Sequence, residues 1–185
     1  MNTYPIKRFI IIDDGMNFGC NDFVKTKYEF PIELIYNNPK LYQIRSIDYV
    51  YGMVDTEYIF HMEEDWEFYK DGFIEACLDV IDLDEKIICV WTRDPNDTPH
   101  PALDPTYDIN GKGVRRIVWG FDGHWHGCTF NPSLKKIKDW NGYAEIGREL
   151  EISKYYYEQG YFAMIFTEGY CKHIGWDRHV TDKGE

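Results

Sequence analysis

Three consecutive acidic residues follow a segment with the composition of a buried β-strand. The segment is YIFHMEEDWEF, residues 58–68, and the acids are Glu63, Glu64 and Asp65. Ligands of open α/β sheets bind beyond the carboxyl ends of the strands. Side chains two positions apart in an extended chain point to the same side, so Glu63 and Asp65 can share one cation while Glu64 faces elsewhere. Carboxylate oxygens suit Mg²⁺ or Mn²⁺, which complete their shell with substrate phosphates. The alternative is a solvated acidic turn.

A second acidic strand end lies in RFIIIDDGMNFG, where Asp13, Asp14 and Gly15 follow an apolar run. The carboxylates could bind ribose or base groups, and the glycine allows the backbone to turn sharply. An ordinary Asp-Gly turn after a strand is the alternative.

A third set of acids lies in AEIGRELEISKYYYEQG, which predicts one long helix that ends at Gly160. Glu145 and Glu149 are four residues apart, so they share a face of that predicted helix. Two acids that face one cleft could raise one another's pKa. A solvated acidic helix face is the alternative.

Histidine and tryptophan residues form a further candidate site. In an extended chain, His124 and His126 lie on one side of Trp125 and could bind zinc with an acid such as Asp65, although such a pair more often only forms hydrogen bonds. Trp119 and Trp125 could stack on sugar rings or belong to the core.

Basic residues gather near the end of this acidic chain. His173, Arg178 and His179 could contact a phosphate, or form a surface salt bridge.

The elements that must position these residues are predicted from apolar periodicity. Strands are expected at 8–13, 32–36, 57–63 and 86–91, and helices at 40–54 and 68–82. This order, β–β–α–β–α–β, favours an α/β layered fold. A long loop is expected at 94–113, then strands in RRIVWGF and HGCTF and a short helix in SLKKIKDW with Ser133 as its N-cap.

Composition limits the classes of function. The chain has 185 residues, which fits one domain, and a formal net charge of −12, which argues against a nucleic-acid partner held through its phosphates. An anionic ligand would need a positive charge at its binding site to offset this negative charge, such as a divalent cation. Five scattered cysteines without CxxC spacing are expected to be reduced core thiols. The chain shows no signal-peptide pattern and no apolar run of transmembrane length, so a cytoplasmic protein is expected.

Taken in order, IIIDDG, IELIY, RSIDYVYGMVDTEYIF and MEEDW resemble the family-two-like glycosyltransferases of the GT-A fold. In that family one strand ends in Asp-Asp-Gly and a later strand ends in an Asp-x-Asp metal motif, here Glu63-Glu64-Asp65. WHGCTFNPSL is similar to the family's acceptor-side loop and strand, GRELEISKYYYEQGY to its Glu-Asp helix, and CKHIG to its late histidine. The resemblance covers roughly residues 8–180.

The resemblance implies a GT-A-like (Rossmann-like) mixed sheet flanked by helices in a single domain over 1–185. It implies metal-dependent transfer of a sugar from a nucleotide-diphosphate donor, with a UDP-sugar as the leading expectation, to a glycan or other hydroxyl acceptor. The implied ligands of Mn²⁺ or Mg²⁺ are Asp65, Glu63 and His173.

The resemblance also implies the remaining site residues. Glu149 fits the position of the catalytic base best, with Glu151 and Glu145 behind it. The implied donor-binding residues are Asp13, Asp14, Gly15, Arg45, Asp48, Glu64 and Arg178, and the implied acceptor-binding residues are Trp125, His126 and Trp119.

The sequence departs from the family pattern at three places. Glu63 replaces the leading Asp of the metal motif, and Arg148-Glu149-Leu150-Glu151 stands where the family shows Glu-Asp. No counterpart of the family's first strand and helix is found before RFIIIDDG.

Other functions stay open. The chain could be an inactive sugar- or partner-binding module of the same fold, or a zinc-dependent hydrolase that uses His124, His126 and Asp65. A nucleotidyltransferase would need a glycine-rich basic loop, which is not found.

Overall fold

The computed structural model describes residues 3–15, 31–97, 102–119 and 126–175. The strands are β1 (Phe9–Asp13), β2 (Ile32–Tyr36), β3 (Tyr58–His61), β4 (Trp66–Phe68), β5 (Ile87–Trp91), β6 (Ala102–Leu103), β7 (Tyr107–Ile109), β8 (Lys112–Trp119), β9 (Ser133–Lys136), β10 (Phe162–Phe166) and β11 (Cys171–His173). The helices are α1 (Tyr42–Tyr51), α2 (Phe73–Ile81), α3 (Tyr143–Ile146) and α4 (Glu149–Glu158). The mixed α/β architecture that the sequence predicts is therefore confirmed.

A mixed sheet forms the centre of the molecule, with strand order β3-β9-β5-β10-β8-β6 and β7 also paired with β8. Strand β10 is parallel to β5, whereas β9 is antiparallel to both β3 and β5. It follows that β3, β5 and β10 run in one direction and end at the same edge of the sheet. Two small sheets accompany it: β1 pairs with β2 in parallel, and β4 pairs with β11 antiparallel.

Helices cover both faces of the central sheet, because its strands are apolar on both sides. One buried cluster joins α2 to one face, through residues such as Cys77, Val90 and Leu134. The other joins α1, α3 and α4 to the opposite face, through residues such as Trp91 and Tyr156. Strand β5, in the middle, is buried along its whole length, which fits a continuous apolar run. In the described part of the chain, no helix has the length and apolar character needed to cross a bilayer.

Most predicted elements are confirmed, with shifted boundaries. Strand 32–36 is found unchanged, and the strands expected at 8–13, 57–63 and 86–91 are found slightly shorter. The helix expected at 68–82 begins at Phe73, because Trp66–Phe68 instead pairs with the late strand β11. Four of the five cysteines are free and buried, as expected, and Cys20 lies outside the described residues.

The prediction of a helix in SLKKIKDW was wrong. Ser133–Lys136 is a strand between β3 and β5, followed by a single 3-10 turn at Ile137–Asp139. Lys135 and Lys136 are both buried in the sheet. The strand expected in HGCTF is not found in its described part, residues 126–130.

The prediction of a long loop at 94–113 was also wrong. Within the described residues it contains β6 and the hairpin of β7 and β8. The hairpin turns at Asn110 and Gly111, both with positive φ, at 52° and 76°. Asn-Gly is the strongest short signal for a turn of this kind, so the sequence did hold the information.

Candidate active site

The candidate site lies at the sheet edge where β3, β5 and β10 end. Glu63 and Asp65 follow β3, and Arg93 follows β5. The loop with Thr129 enters the same edge before β9, since β9 runs antiparallel to its neighbours. Chain direction thus brings residues from distant parts of the sequence to one edge, where α/β sheets bind their ligands.

Asp65 is in direct contact with His173. Asp65 Oδ2 and His173 Nε2 lie 2.8 Å apart, at hydrogen-bonding distance. The pairing of β4 with β11 sets this contact, because it places Trp66 opposite His173, and the Ile174 N–H donates to the Asp65 carbonyl at 2.8 Å. A Cβ on Gly175 would come within 2.6 Å of Asp65 Cβ and 2.7 Å of its Oδ2, so only glycine fits beside this carboxylate.

Glu63 is half-buried among other carboxylates. Its Oε1 accepts a hydrogen bond of 2.6 Å from Gln43 Nε2. Burial raises the pKa of Glu63 to about 7, and the charges of Glu149, Asp65 and Glu64 act in the same direction. The acids after β3 are therefore electrostatically coupled to Glu149 on another element, and a positive charge near them would relieve the repulsion.

Glu149 is the first residue of α4, and the loop before β9 fixes its carboxylate. Thr129 Oγ1 donates to Glu149 Oε1 at 2.5 Å, and the Phe130 N–H donates to the same oxygen at 3.0 Å. Both bonds converge on Oε1, so they orient Oε2. The start of a helix also favours negative charge.

A buried arginine lies behind the Asp65 and His173 pair. The guanidinium of Arg93 is 5.1 Å from the centre of the Trp66 ring, a cation–π distance, and Arg93 Nε is 3.8 Å from Asp97 Oδ2. Asp97 Oδ2 in turn accepts a hydrogen bond of 2.7 Å from the His173 N–H. Burial lowers the pKa of Arg93, and the charges of Asp97 and Glu149 oppose that effect.

The donor atoms suit a divalent cation that also binds a substrate. Among the described residues, no group of three or more His, Cys, Asp or Glu side chains is arranged to hold a metal. Asp65 and His173 supply two adjacent donors, and Asp65 Oδ1 is buried without a hydrogen-bond partner in the described part of the structure. Mg²⁺ and similar ions are commonly held by one or two protein ligands together with water and substrate phosphates, which fits this set.

Two predicted donor-binding acids have clear structural roles. The Asp14 carboxylate accepts hydrogen bonds from Asn37 Nδ2 and from the N–H groups of Leu41 and Tyr42, each at 2.7 Å, so it fastens β1 to the start of α1.

Asp48 acts likewise within the helical layer. It accepts bonds from Trp140 Nε1 and the Tyr143 N–H at 2.8 Å and from the Ala144 N–H at 2.6 Å, which fastens the start of α3 to α1.

The other predicted donor-binding residues are placed as follows. Asp13 Oδ1 accepts a 2.8 Å bond from the Gly15 N–H, and Asp13 Oδ2 is buried without a hydrogen-bond partner among the described residues. A Cβ on Gly15 would make only an ordinary contact, so this turn does not require glycine for space. Arg45 and Glu64 are exposed, and Arg178 lies outside the described residues.

The expectation that Glu145 and Glu149 share a helix face was wrong. The chain forms two helices here, α3 and α4, separated at Gly147, which has a φ of 134°. Glu145 is exposed on α3. Glu151 accepts a 2.8 Å bond from the Arg148 N–H and so caps α4. Of the three candidate bases, Glu149 is the one that the structure couples to Glu63.

The predicted acceptor side is described only in part. His126 stacks on Tyr157 of α4, with ring centres 3.7 Å apart and an interplanar angle of 9°. Trp119 ends β8, but its side chain, together with His124, Trp125 and His179, lies outside the described part of the structure.

Sequence reasoning missed two cations of this region. Arg93 lies two residues after the end of β5, so the rule that selected Glu63 could have found it. Lys135 gave no such signal, because SLKKIKDW has neither strand alternation nor an apolar run.

Comparison of the chain with known protein families, curated proteins and solved structures found no match.

Proposed function

We propose that this protein is a metal-dependent glycosyltransferase of GT-A-like architecture. It would move a sugar from a nucleotide-diphosphate donor, with UDP-sugars as first candidates, to the hydroxyl of a glycan or another acceptor. The observation that carries the proposal is the convergence of three distant motifs: the acids after β3, the histidine of β11, which contacts Asp65 at 2.8 Å, and Glu149 of α4, whose charge acts on Glu63.

Sugar transfer develops positive charge at the anomeric carbon and negative charge on the departing diphosphate. Asp65 and His173, with Glu63 beside them, would hold the Mn²⁺ or Mg²⁺ ion. When bound, such an ion neutralises the leaving group as a Lewis acid. The direct contact of Asp65 with His173 shows that both side chains reach one point.

The environment of Glu63 favours the binding of a cation beside Asp65 and His173, for an electrostatic reason. Burial is the largest cause of the Glu63 pKa of about 7, and the negative charges of Glu149, Asp65 and Glu64 add to that effect. Binding of a divalent ion would make the ionised form of Glu63 favourable, with release of its proton.

Glu149 is the group that would accept the proton of the acceptor hydroxyl. Thr129 and Phe130 hold Oε1, which leaves Oε2 oriented for the substrate. A base held rigidly in this way needs no rearrangement before proton transfer. Arg93, stacked over Trp66 beside the Asp65 and His173 pair, adds positive charge on the side where a diphosphate would bind.

The experiment is a donor-turnover assay. The protein is incubated with Mn²⁺ and a panel of nucleotide-sugars, and release of nucleoside diphosphate is measured with and without simple sugar acceptors. The proposal predicts release with at least one donor, and a loss of about 10²–10⁴-fold in Glu149→Gln, because one positioned base contributes about that much. Glu145→Gln is the matched control, since Glu145 is exposed on α3 and should keep full activity. Equal activity in both variants would refute the assignment of Glu149.

A further inference from the structure

The strand that carries His173 belongs to a very small sheet. Strands β4 and β11 have three residues each and pair only with one another, with Trp66 opposite His173. Two paired strands on their own are at best marginally stable in water. Contacts from other parts of the chain must therefore hold β11, and with it the His173 side chain, next to Asp65.

The direction of the His173 N–H shows where this support is located. The Ile174 N–H donates to the Asp65 carbonyl at 2.8 Å. Hydrogen-bonded and non-hydrogen-bonded pairs alternate along an antiparallel ladder, so the next pair, His173 with Trp66, is a non-hydrogen-bonded one. The His173 N–H consequently points away from β4, to the opposite edge of β11.

Asp97 binds the His173 N–H at that edge. Asp97 Oδ2 accepts the hydrogen bond at 2.7 Å, although the two residues are 76 positions apart in the sequence. Two residues earlier in β11, the Cys171 carbonyl accepts a 2.9 Å bond from the Asp94 N–H. The backbone that follows β5 therefore holds Cys171, whereas a side-chain carboxylate holds His173.

Arg93 fixes the position of Asp97. Arg93 Nη2 donates to the Asp97 carbonyl, and Arg93 Nε lies 3.8 Å from Asp97 Oδ2. The Asp97 N–H donates to the Asp94 carbonyl at 3.0 Å. The side chains of Arg93 and Asp97 are only 10% and 19% exposed, so salt and water screen this ion pair little.

These contacts form a closed circuit around the candidate cation site. The Arg93 guanidinium lies 5.1 Å from the centre of the Trp66 ring, and the ring centres of Trp66 and His173 are 5.0 Å apart. His173 Nε2 lies 2.8 Å from Asp65 Oδ2. Loss of the Asp97 carboxylate would open the circuit at His173 and loosen β11 relative to Asp65.

We propose that Asp97 is a positioning residue for the cation site: it holds β11 so that His173 stays beside Asp65, and Arg93 braces it. The role in cation binding rests on the proposed function, whereas the hold of Asp97 on β11 does not. Groups that orient metal ligands from behind typically contribute about 10–100-fold to metal affinity.

Amide hydrogen exchange tests the hold on β11 without metal or donor. The probe is the Ile174 N–H, which reports on the contact of β11 with the Asp65 carbonyl. Asp97→Ala should lower its protection about tenfold or more, as expected for loss of a hydrogen bond to a charged group. Asp97→Asn keeps an oxygen that can accept from the His173 N–H, so most of the protection should return. Asp97→Ser replaces Asp97→Ala if the alanine variant does not fold.

Glu67→Ala is the matched control for the exchange experiment. Glu67 is exposed on β4 and pairs with Lys172 of β11 at 2.8 Å, so this change removes an acid from the same small sheet and leaves the bond to His173 in place. The protection of Ile174 should then stay near wild type. Unchanged protection in Asp97→Ala, or an equal loss in Glu67→Ala, would overturn the proposal.

Cation affinity gives the second readout. Mn²⁺ alone is titrated into the folded variants, and free Mn²⁺ is measured by electron paramagnetic resonance. We expect Asp97→Ala to bind Mn²⁺ about tenfold or more weakly than wild type, with Asp97→Asn and Glu67→Ala close to wild type. Equal affinity of Asp97→Ala and wild type would overturn the positioning role. Absence of Mn²⁺ binding to the wild type would count against the proposed function, and exchange at Ile174 would still decide whether Asp97 holds β11.

Discussion

Asp65 and His173 are 108 positions apart in the sequence, yet Asp65 Oδ2 lies 2.8 Å from His173 Nε2. The short sheet of β4 and β11 creates this contact by pairing Trp66 with His173. The structure thus fastens the acidic segment after β3 to the last described strand. Under the proposed function this contact defines the metal end of the site, so changes around it should affect ligand binding more than folding.

Gly175 offers a test of that contact without removal of either partner. In Gly175→Ala the new methyl group would meet Asp65 at 2.6 Å, so the carboxylate must move. We expect metal-dependent binding of a nucleoside diphosphate to weaken about tenfold or more, because small displacements of a ligand group are costly. Calorimetry provides the measurement. Gly52→Ala is the control, since its Cβ would come no closer than 3.4 Å to any atom. Equal affinity in the two variants would argue against a site at Asp65.

The raised pKa of Glu63 predicts a specific dependence of stability on pH. In the unfolded chain the pKa of a glutamate is 4.5, and in the folded protein that of Glu63 is about 7. The folded state therefore holds the proton more tightly, and the stabilisation from protonated Glu63 is fully present below pH 4.5 and lost as the pH rises through about 7. Glu63→Gln, which keeps a neutral side chain, should be more stable than wild type at pH 8 by up to about 3 kcal/mol, with no gain near pH 4.

Urea unfolding at both pH values measures this difference. Glu64→Gln is the matched control, because Glu64 is exposed. A gain for Glu64→Gln as large as that for Glu63→Gln would mean that general repulsion, and not burial of Glu63, sets the pH dependence.

Asp48 is expected to matter for folding. In Asp48→Ala, Trp140 Nε1 and the N–H groups of Tyr143 and Ala144 lose their acceptor. We expect a loss of about 2–4 kcal/mol in the free energy of unfolding, since several donors at the start of α3 become unpaired together. Thermal or urea unfolding measures it. Arg45→Ala, an exposed position on the same helix, should change stability by about 0.5 kcal/mol or less. Unchanged stability of Asp48→Ala with lost donor binding would instead favour a direct role in binding.

Substitution of Glu151 should distinguish a role in helix capping from a role in catalysis. Its carboxylate accepts the Arg148 N–H at 2.8 Å at the start of α4. Glu151→Ala is expected to lower the free energy of unfolding by about 0.5–2 kcal/mol, as loss of a helix cap does, while the turnover of the folded protein stays near wild type. Turnover per folded molecule is compared with that of Glu149→Gln. A loss of turnover in Glu151→Ala as large as in Glu149→Gln would move the base to Glu151.

The strongly patterned elements could be predicted from sequence, because apolar runs and helical spacing reflect burial directly. Strand 32–36 and the strand before Glu63 are examples. Strand β9 could not be predicted, because two lysines occupy buried positions in it. Lys136 pairs there with Asp82, which comes from another element. The break at Gly147 was missed because α3 and α4 together keep an almost continuous helical composition.

The candidate site was predictable only in part. Glu63 and Asp65 follow the rule of strand ends, whereas Glu149 and His173 were selected through the family resemblance. The contact of Asp65 with His173 depends on the pairing of two three-residue strands, which are too short to give a pattern. Arg93 and Lys135 owe their place to the folded sheet, so the burial of these two cations appears only in three dimensions.

The most direct measurement is calorimetric titration of nucleoside diphosphates, UDP first, into the protein with and without Mn²⁺, in the wild type and in Asp65→Ala. The proposed function predicts binding that requires Mn²⁺ and disappears in Asp65→Ala while the variant stays folded. Absence of binding by any nucleoside diphosphate to the folded wild-type protein would contradict the transferase and leave a binding module without a donor site.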